Sequence, residues 1–343
     1  MAPADGRPMD VTNYILRRVL TSAVLMIIIS MVTFGVFFMV PKLAGTNPAE
    51  LYVGKQATPA DVAATARKLG LDQPVTVQYA RFAKGLVAGR DFDDGPNKTH
   101  CDAPCFGYSF RNDRPVWPLL LDRLPVTISL AIGAAIIWLI GGVLAGVISA
   151  LRRGGALDRT VMVLALAGVS LPIYFTGLLA QLVFVHTLHW LPGGEYVNFA
   201  DDPAGWAGKL FLGWVTLALL YAATYARLTR AQMLETVGED YIRTARAKGL
   251  RERTVIAKHA MRSVLTPIVT IFGLDIGSLL GGAILTESVF GLPGIGRLSI
   301  DAVNTKDLPV VLGVTLFGAL FIVLANFIVD LLYAVIDPRV RLG

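Results

Sequence analysis

Long apolar runs separated by polar stretches dominate the chain. Runs of about 20 apolar residues, enough to cross roughly 30 Å of hydrocarbon, can be placed six times. These runs cover residues 13–40, 125–151, 160–190, 210–226, 264–288 and 309–336. The fourth run is the shortest, and its ends are the least well defined. The pattern therefore predicts an all-α polytopic membrane protein with six transmembrane helices.

The composition agrees with this class. Of 343 residues, 54% are hydrophobic and 16% are charged, and the mean hydropathy is +0.60, which excludes an ordinary soluble domain. The net charge of +6 would suit nucleic acid only if basic residues were interleaved with aromatics on a soluble face. The aromatics lie mostly inside the apolar runs, so we expect no nucleic-acid partner.

The positive charges predict the orientation of the chain. With the N-terminus inside, Arg17 and Arg18 and the basic segments 152–159 and 227–262 all face the cytoplasm. The two short loops on the other side carry few positive charges: Lys209, Arg297 and Lys306. The first run is too long for a signal peptide and lacks a cleavage pattern, so it is expected to be a retained helix. Both termini are therefore predicted to be cytoplasmic.

This orientation divides the chain into four parts. The cytoplasmic N-terminus and first transmembrane helix occupy residues 1–40, and an extracytoplasmic segment follows at 41–121. The transmembrane domain with helices two to six spans 122–337 and includes the cytoplasmic loop 227–262. Residues 338–343 form a cytoplasmic tail.

The extracytoplasmic segment begins with a helix signal. Thr58 and Pro59 suit a helix start, and Gly70 suits a helix stop. The following stretch, "AGRDFDDGPNKTHCDAPCFGYSF", is rich in Gly, Pro and Asp and is predicted to be loop.

This loop holds the two cysteines of the chain, Cys101 and Cys105. In an oxidising compartment they are expected to form a disulfide. A metal site that uses His100 with both cysteines is the alternative, but no fourth ligand is evident.

The cytoplasmic stretch "YIRTARAKGLRERTVIAKHAMR" at 241–262 is basic and prone to form helix. Its alanines, arginines and lysines predict a short helix over Tyr241–Lys248. Gly249 suits the left-handed position after a helix end, and Leu250 suits the contact that follows. A second helix is expected from about Arg251 into the fifth span.

Two interpretations of this helix remain open from the residues alone. Its small residues Thr244, Ala245 and Ala247 would let a partner approach closely, while Arg243, Arg246 and Lys248 would meet acidic groups around a groove. The alternative is a solvated basic loop attracted to anionic lipid headgroups.

Polar and glycine residues inside the spans carry further hypotheses. Asp275, Glu287 and Asn326 are candidates for the translocation path or for polar contacts between subunits. Gly273, Gly277 and Gly281 recur at four-residue intervals along one helix face, which favours close helix packing.

No catalytic, cofactor or metal site is predicted. The stretch "GLPGIGRLS" at 291–299 has the glycine spacing of a phosphate loop, but Arg297 and Leu298 replace the Lys and Ser/Thr that such a loop needs. It is predicted to be a rigid connection instead.

Six stretches resemble the membrane subunits of ATP-binding-cassette importers for dipeptides and oligopeptides. They are "YILRRVL" at 14–20, "GLDQPVTVQY" at 70–79, "RLPVTISLA" at 123–131, "DYIRTARAKGL" at 240–250, "KHAMRS" at 258–263 and "LTESVFGLPGIGRLSIDAV" at 285–303. They span nearly the whole chain in the same order. The resemblance implies a type I importer permease fold in a bacterial cytoplasmic membrane.

The resemblance also implies a role for the short basic helix. It would be a coupling helix seated in a separate ATPase subunit, formed by Tyr241, Arg243, Thr244, Ala245, Arg246, Ala247, Lys248, Gly249 and Leu250. Arg243 and Thr244 depart from the general importer pattern Glu-Ala-Ala-x-x-x-Gly, which suits the peptide branch better than the sugar or phosphate branches. The implied partners are a second, similar permease, two ATPase subunits that hold ATP and Mg, and an extracytoplasmic peptide-binding protein.

Two rival functions remain. The same branch serves nickel, glutathione and related small solutes, which nothing in the spans excludes. A self-contained secondary transporter would usually show an internal repeat with broken helices, and no such repeat is visible in the sequence.

Overall fold

The computed structural model describes residues 11–43, 45, 48–51, 58–93, 98–109 and 111–336. The predictions for residues 1–10 and for the tail 338–343 lie outside these ranges. The first half of the described chain contains helix α1 (Val11–Leu43), a 3₁₀ turn (Pro48–Leu51), helices α2 (Pro59–Leu69) and α3 (Val75–Ala88), strands β1 (Arg90–Asp93), β2 (Lys98–Cys101), β3 (Tyr108–Ser109) and β4 (Arg114–Pro115), and helix α4 (Val116–Leu151).

The remaining elements are all helical. They are α5 (Ala156–Ser170), α6 (Ile173–Ala180) with a π-helical turn (Gln181–Thr187), α7 (Pro203–Val237), α8 (Asp240–Ala247), α9 (Glu252–Thr254) with a π-helical turn (Val255–Ala260), α10 (Met261–Leu280), α11 (Ile284–Val289), α12 (Ile295–Thr305) and α13 (Leu308–Ile336).

Five helices in the described ranges are long and apolar enough to cross a membrane, and the bent pair α5–α6 with its π-helical turn makes a sixth if it counts as one span. The predicted first, second, fourth and sixth runs lie within α1, α4, α7 and α13. The fourth predicted run, 210–226, is shorter than α7, because the helix continues through polar residues at both ends. Its start is capped by Asp202, whose carboxylate accepts from the backbone of Ala204 and Gly205.

The third predicted span is broken in the structure, and the fifth ends earlier than predicted. The third, 160–190, breaks at Leu171–Pro172 and bends by 100°. Leu171 is extended because Pro172 disfavours the helical conformation in the residue before it. The fifth, 264–288, ends at Leu280, since Gly282 takes a φ of +126° that turns the chain into α11.

Glycines let the spanning helices pack closely. A Cβ on Gly142 of α4 would lie 2.8 Å from the Cβ of Tyr225 and 2.9 Å from the carbonyl oxygen of Ala222, both on α7. The predicted glycine face of α10 packs on α13 in the same way, where a Cβ on Gly277 would lie 2.5 Å from the Cβ of Ala325. Packing at this distance replaces the hydrophobic drive that lipid does not supply.

The described residues between 48 and 115, called the cap here, pack on one end of the spans. Phe34 and Phe38 of α1 stack with their centroids 4.4 Å apart, and Phe34 also contacts Tyr79 and Phe82 of α3. The predicted helix after Thr58 is confirmed as α2, and Gly70 follows it with a φ of +69°. The cap is therefore joined to the membrane domain by an aromatic core.

The part of the cap predicted to be loop contains the short strands β1, β2 and β3, and β4 follows it. Strand β1 pairs with β2, and β3 pairs with β4. These strands are two to four residues long and mostly polar, so they lack the apolar alternation by which a strand is recognised in a sequence.

Cys101 and Cys105 form a disulfide in the cap, and both are almost fully buried. His100 contacts Asp91 and Asp102 rather than the cysteines, and the hydrogen bond to Asp91 raises the pKa of its imidazole. Among the described residues, no group of three or more His, Cys, Asp or Glu side chains could hold a metal ion. The structure thus supports the disulfide rather than the metal site.

Asp307 fastens the cap to α13. Its buried carboxylate accepts hydrogen bonds from Ser109 and, at 3.4 Å, from Asn112. Burial raises the pKa of Asp307, and the two hydrogen bonds act in the opposite direction. The contact joins the β3–β4 turn to the start of the last helix.

The close approach of α4 and α7 can be tested with two adjacent glycines. Gly142→Ala places a methyl group against Tyr225 and Ala222, and overpacking of this kind costs about 1–3 kcal/mol. Gly141→Ala is the matched control, because nothing lies within 4 Å of a Cβ there and alanine favours helix by about 1 kcal/mol. Thermal unfolding of the purified chain should show a lower Tm for G142A only. Equal Tm values for the two variants would contradict this packing.

Candidate functional site

The short basic helix predicted in the α7–α10 loop is present as α8. It begins after Glu239, which is extended, and ends at Ala247, with Lys248 in the C-cap position. Gly249 takes the left-handed conformation with a φ of +75°. Its amide donates to Arg246 at 2.9 Å, and the amide of Leu250 donates to Ala245 at 3.4 Å. These bonds satisfy carbonyls at the helix end, so the predicted glycine stop is confirmed.

One face of α8 is buried against the rest of the chain. Ile242 is 0% exposed and Ala245 is 6% exposed. Both belong to the hydrophobic core that includes Val255 and Ala260 of the π-helical turn before α10. Tyr241 adds a 2.9 Å hydrogen bond to Ser263 in the first turn of α10. An eight-residue helix is too short to be stable alone, and these contacts hold it in place.

The opposite face of α8 is exposed. Its exposed residues are Tyr241, Arg243, Thr244, Arg246 and Ala247, followed by Lys248, Gly249 and Leu250. The expectation that Ala245 would help a partner approach is wrong, because Ala245 packs inward on its own chain. Thr244 and Ala247 are the small residues that remain on the surface.

Two of the exposed arginines are paired within the loop. Arg246 donates to both oxygens of Glu252, at 2.7 and 3.1 Å, and so links α8 to α9. Arg243 lies 3.3 Å from Asp240, one turn earlier. Lys248 has no carboxylate partner in the described part of the chain. The exposed surface therefore combines local ion pairs with a lysine available to an acidic partner.

A buried ion pair that the sequence reasoning missed lies on the same side of the spans. Asp158, 4% exposed, receives two hydrogen bonds from the Arg230 guanidinium at 2.7 and 2.9 Å. It also accepts from Ser149 and, at 2.8 Å, from the amide of Gly154. The cluster joins the α4–α5 turn to α7. The position of Asp158, soon after Arg152, Arg153 and two glycines, is the sequence signal that could have indicated this ion pair.

Asp275 has its partner within the same chain. Tyr225 of α7 donates a 2.8 Å hydrogen bond to the carboxylate of Asp275 on α10. Beside it, the rings of Trp138 and Tyr221 stack with centroids 4.6 Å apart. Asp275 is partly exposed, so its roles in the path or between subunits stay predictions.

Glu287 is fully buried and joins three elements. Its carboxylate accepts from Thr127 of α4 at 2.8 Å and from the backbone amide of Arg297 at 2.9 Å. Thr127 in turn accepts from the amide of Ile295 at 2.9 Å. A Cβ on Gly294 would lie 2.3 Å from the Glu287 carboxyl carbon. Gly294 and Gly296, which belong to the stretch with phosphate-loop spacing, have no side chain to block the Glu287 carboxylate. The carboxylate therefore lies at the N-terminus of α12.

Asn326 lies on α13 beside α1. It lines a cavity of about 280 Å³ together with Thr21, Ser22 and Asp330, and Arg18 lies 2.9 Å from Asp330 in the same cavity wall. The structure therefore places Asp275, Glu287 and Asn326 at three different helix contacts and does not bring them together in one site.

The ion pair between Asp158 and Arg230 can be tested by substitution. Asp158→Asn removes the charge that Arg230 and Gly154 contact, so the purified chain should unfold at a lower temperature. Proteolysis at the 152–155 turn should also become faster. Glu252→Gln is the control, because exposed ion pairs such as Arg246–Glu252 contribute little. Matching Tm values and cleavage rates in the two variants would contradict a tethering role for Asp158.

Comparisons with known proteins cover almost the whole chain. Residues 142–342 match the family described as binding-protein-dependent transport system inner membrane component, and residues 11–131 match the N-terminal part of such membrane components. A putative peptide transport system permease of Brucella abortus (strain 2308) is 41% identical over 330 residues, which is 96% of this chain and 99% of the relative. The dipeptide transport system permease DppB of Escherichia coli (strain K12) is 36% identical over 359 residues, covering 96% and 98%.

A solved structure shares the fold. It is the MetNI methionine ABC transporter in an inward-facing conformation, with a TM-score of 0.51 at 18% identity, covering 64% of this chain and 97% of that one. At this identity the likeness concerns the fold alone, and it agrees with the predicted type I importer permease architecture. The family matches and the curated relatives establish that the chain belongs to the inner membrane components of binding-protein-dependent transport systems, the permease subunits of ATP-binding-cassette importers.

Proposed function

We propose that this chain is one permease subunit of an ATP-driven importer of dipeptides and oligopeptides. It would form half of the translocation path beside a second, similar permease. Two separate subunits would hold ATP and Mg, and an extracytoplasmic binding protein would deliver the peptide. The names of relatives that are 36–41% identical over nearly the full chain support the peptide class.

The observation that carries the coupling role is the division of α8 into two faces. Ile242 and Ala245 fix the helix to the chain that leads into α10, while Thr244, Ala247 and Lys248 face outward. A force applied to the exposed face would pass through the buried contacts and the Tyr241–Ser263 hydrogen bond to α10. A loop that only neutralised lipid headgroups would not need this anchored face.

The orientation proposed here places both termini and α8 in the cytoplasm, with the segment 41–121 on the other side. The support is the excess of Lys and Arg around α8 and the α4–α5 turn. The Cys101–Cys105 disulfide in the cap also suits an oxidising compartment.

Substitution on the two faces of α8 tests the coupling. Ala247→Trp adds bulk to the exposed face, so peptide-stimulated ATP hydrolysis and uptake by the reconstituted importer should fall about tenfold or more, the equivalent of about 1.4 kcal/mol of coupling. The Tm of the permease chain should not change. Ala245→Trp should instead lower that Tm, because Ala245 is buried within the chain. Ala156→Trp, at an exposed alanine on α5, is the control for added bulk.

Normal uptake and normal ATPase binding by the A247W importer would overturn the coupling role. The solute class is tested separately, by uptake of labelled dipeptide, nickel and glutathione into vesicles that contain the full importer. Transport of nickel or glutathione without peptide would reject the peptide assignment and leave the coupling role standing. Transport by this chain without any ATPase subunit would reject both.

A further inference from the structure

A cavity lies between the cap and the spans, away from α8. Its wall is formed by side chains from α1, α3, β1, the β2–β3 connection and the start of α13. It has a volume of about 80 Å³, and its lining is mainly apolar and aromatic, including Phe34, Phe38, Phe82, Phe92, Phe106 and Leu312. Space of this size exceeds what one water molecule needs, and aromatic walls do not favour water.

Two arginines stand in the wall of this mainly apolar cavity, which also includes the polar side chains of Gln78 and Tyr108. They are Arg81 of α3 and Arg90 of β1. Neither has a carboxylate within ion-pair distance in the described ranges, although the cap holds several Asp residues. Arg90 lies over the ring of Phe92 at 4.7 Å, and burial, followed by the charge of Arg81, lowers the pKa of Arg90. Two neighbouring positive charges, with Arg90 partly buried and Arg81 exposed, favour binding of an anion at this wall.

The backbone makes room for one of these guanidinium groups. A Cβ on Gly70 would lie 3.0 Å from Nη1 of Arg81. The turn after α2 therefore holds the Arg81 head close to the chain, and a side chain at position 70 would push it away. Arg81 is exposed, and its guanidinium lies beside Gly70 at the cavity wall.

The position of the cavity indicates which anion it takes. Phe34 and Phe38 lie near the end of the apolar part of α1, which runs from Ile15 to Met39. Leu312 lies near the start of the apolar part of α13, Leu308–Leu331. The cavity is thus at the level where hydrocarbon gives way to headgroups. Free phosphate would satisfy the arginines but leave the aromatic walls without contacts.

We propose that this cavity binds an anionic phospholipid of the leaflet that adjoins the cap. Arg81 and Arg90 donate to the phosphate, for which a guanidinium fork is well shaped. The glycerol and first acyl carbons enter between the aromatic rings, and the rest of the acyl chains stay in the bilayer. The lipid bridges α1, α3 and α13, and this role does not depend on which solute the chain transports.

The test uses the full chain in nanodiscs of phosphatidylcholine with a minor fraction of phosphatidylglycerol that carries a photoreactive group near the glycerol. After irradiation, labelled peptides are identified by mass spectrometry. We expect label on the peptides that contain Phe82 and Phe106. Arg81→Gln with Arg90→Gln should reduce that label about fivefold or more, since the charge-assisted contacts to phosphate are lost.

Two further variants serve as controls. Arg67→Gln with Lys84→Gln removes the same charge from exposed cap positions outside the cavity, and should leave the label unchanged. Arg81→Lys with Arg90→Lys keeps the charge and should retain more label than the Gln pair, which separates loss of charge from loss of folding.

Three results would overturn the proposal. The first is label in the R81Q/R90Q chain equal to that in the R67Q/K84Q control. The second is no difference between the Lys and Gln pairs. The third is loss of label on addition of millimolar inorganic phosphate or of a dipeptide, which would show a simple anion site or a peptide site instead.

Discussion

The structure depends on how closely its helix backbones approach one another inside lipid. Lipid gives apolar helices no hydrophobic reason to associate, so dispersion contacts must supply the free energy. At Gly142 and Gly146 the backbone of α4 meets α7 at distances that a methyl group would occupy, and at Gly273 and Gly277 α10 meets α13 in the same way. Because these surfaces are smooth as well as close, they suit helices that must shift against one another without separating.

Polar contacts fix the positions of these packed helices relative to one another. Arg230 and Asp158 hold the α4–α5 turn on α7, Tyr225 and Asp275 join α7 to α10, and Glu287 holds the start of α12 on α4. Each carboxylate is satisfied by hydrogen bonds from a different element, as groups buried away from water require. α7 ends at Val237, a few residues after Arg230, and α8 begins at Asp240. A displacement of α8 would therefore move the end of α7 as well as α10.

Much of the fold could be predicted from the sequence, because a long apolar run has few other structures open to it. Apolar runs predicted the five long helices α1, α4, α7, α10 and α13. The alanines and the glycine stop predicted α8. The break at Leu171–Pro172 could not be predicted from hydropathy, because the residues on both sides of it are apolar. The helical backbone is nevertheless interrupted there. Strands β1 to β4 were missed because their pairing depends on contacts within the cap and not on local pattern.

The candidate site was predicted less well than the fold. The sequence identified α8, but which face is buried is set by tertiary packing, so Ala245 was assigned to the wrong side. Glu287 was predicted to lie in the path or at a contact between subunits, and its own contacts could not be predicted, because Thr127 is 160 residues earlier in the chain and the amide of Arg297 is brought to it by the turn before α12. Asp158 and Arg230 were missed because 72 residues separate them. Distant pairs of this kind leave no periodic signal in a single sequence.

The contact between α1 and α13 has a consequence for biosynthesis. α1 ends at Leu43 and its neighbour α13 begins at Leu308, so α1 must wait for the synthesis of α13. At roughly 5–20 residues per second, this delay is about 13–50 seconds. During that time α1 is stabilised by its own hydrophobicity and by its contacts with α3 of the cap. Packing of α13 on α1 would then come late in assembly. A chain truncated before α13 would leave α1 without the helix on which it packs.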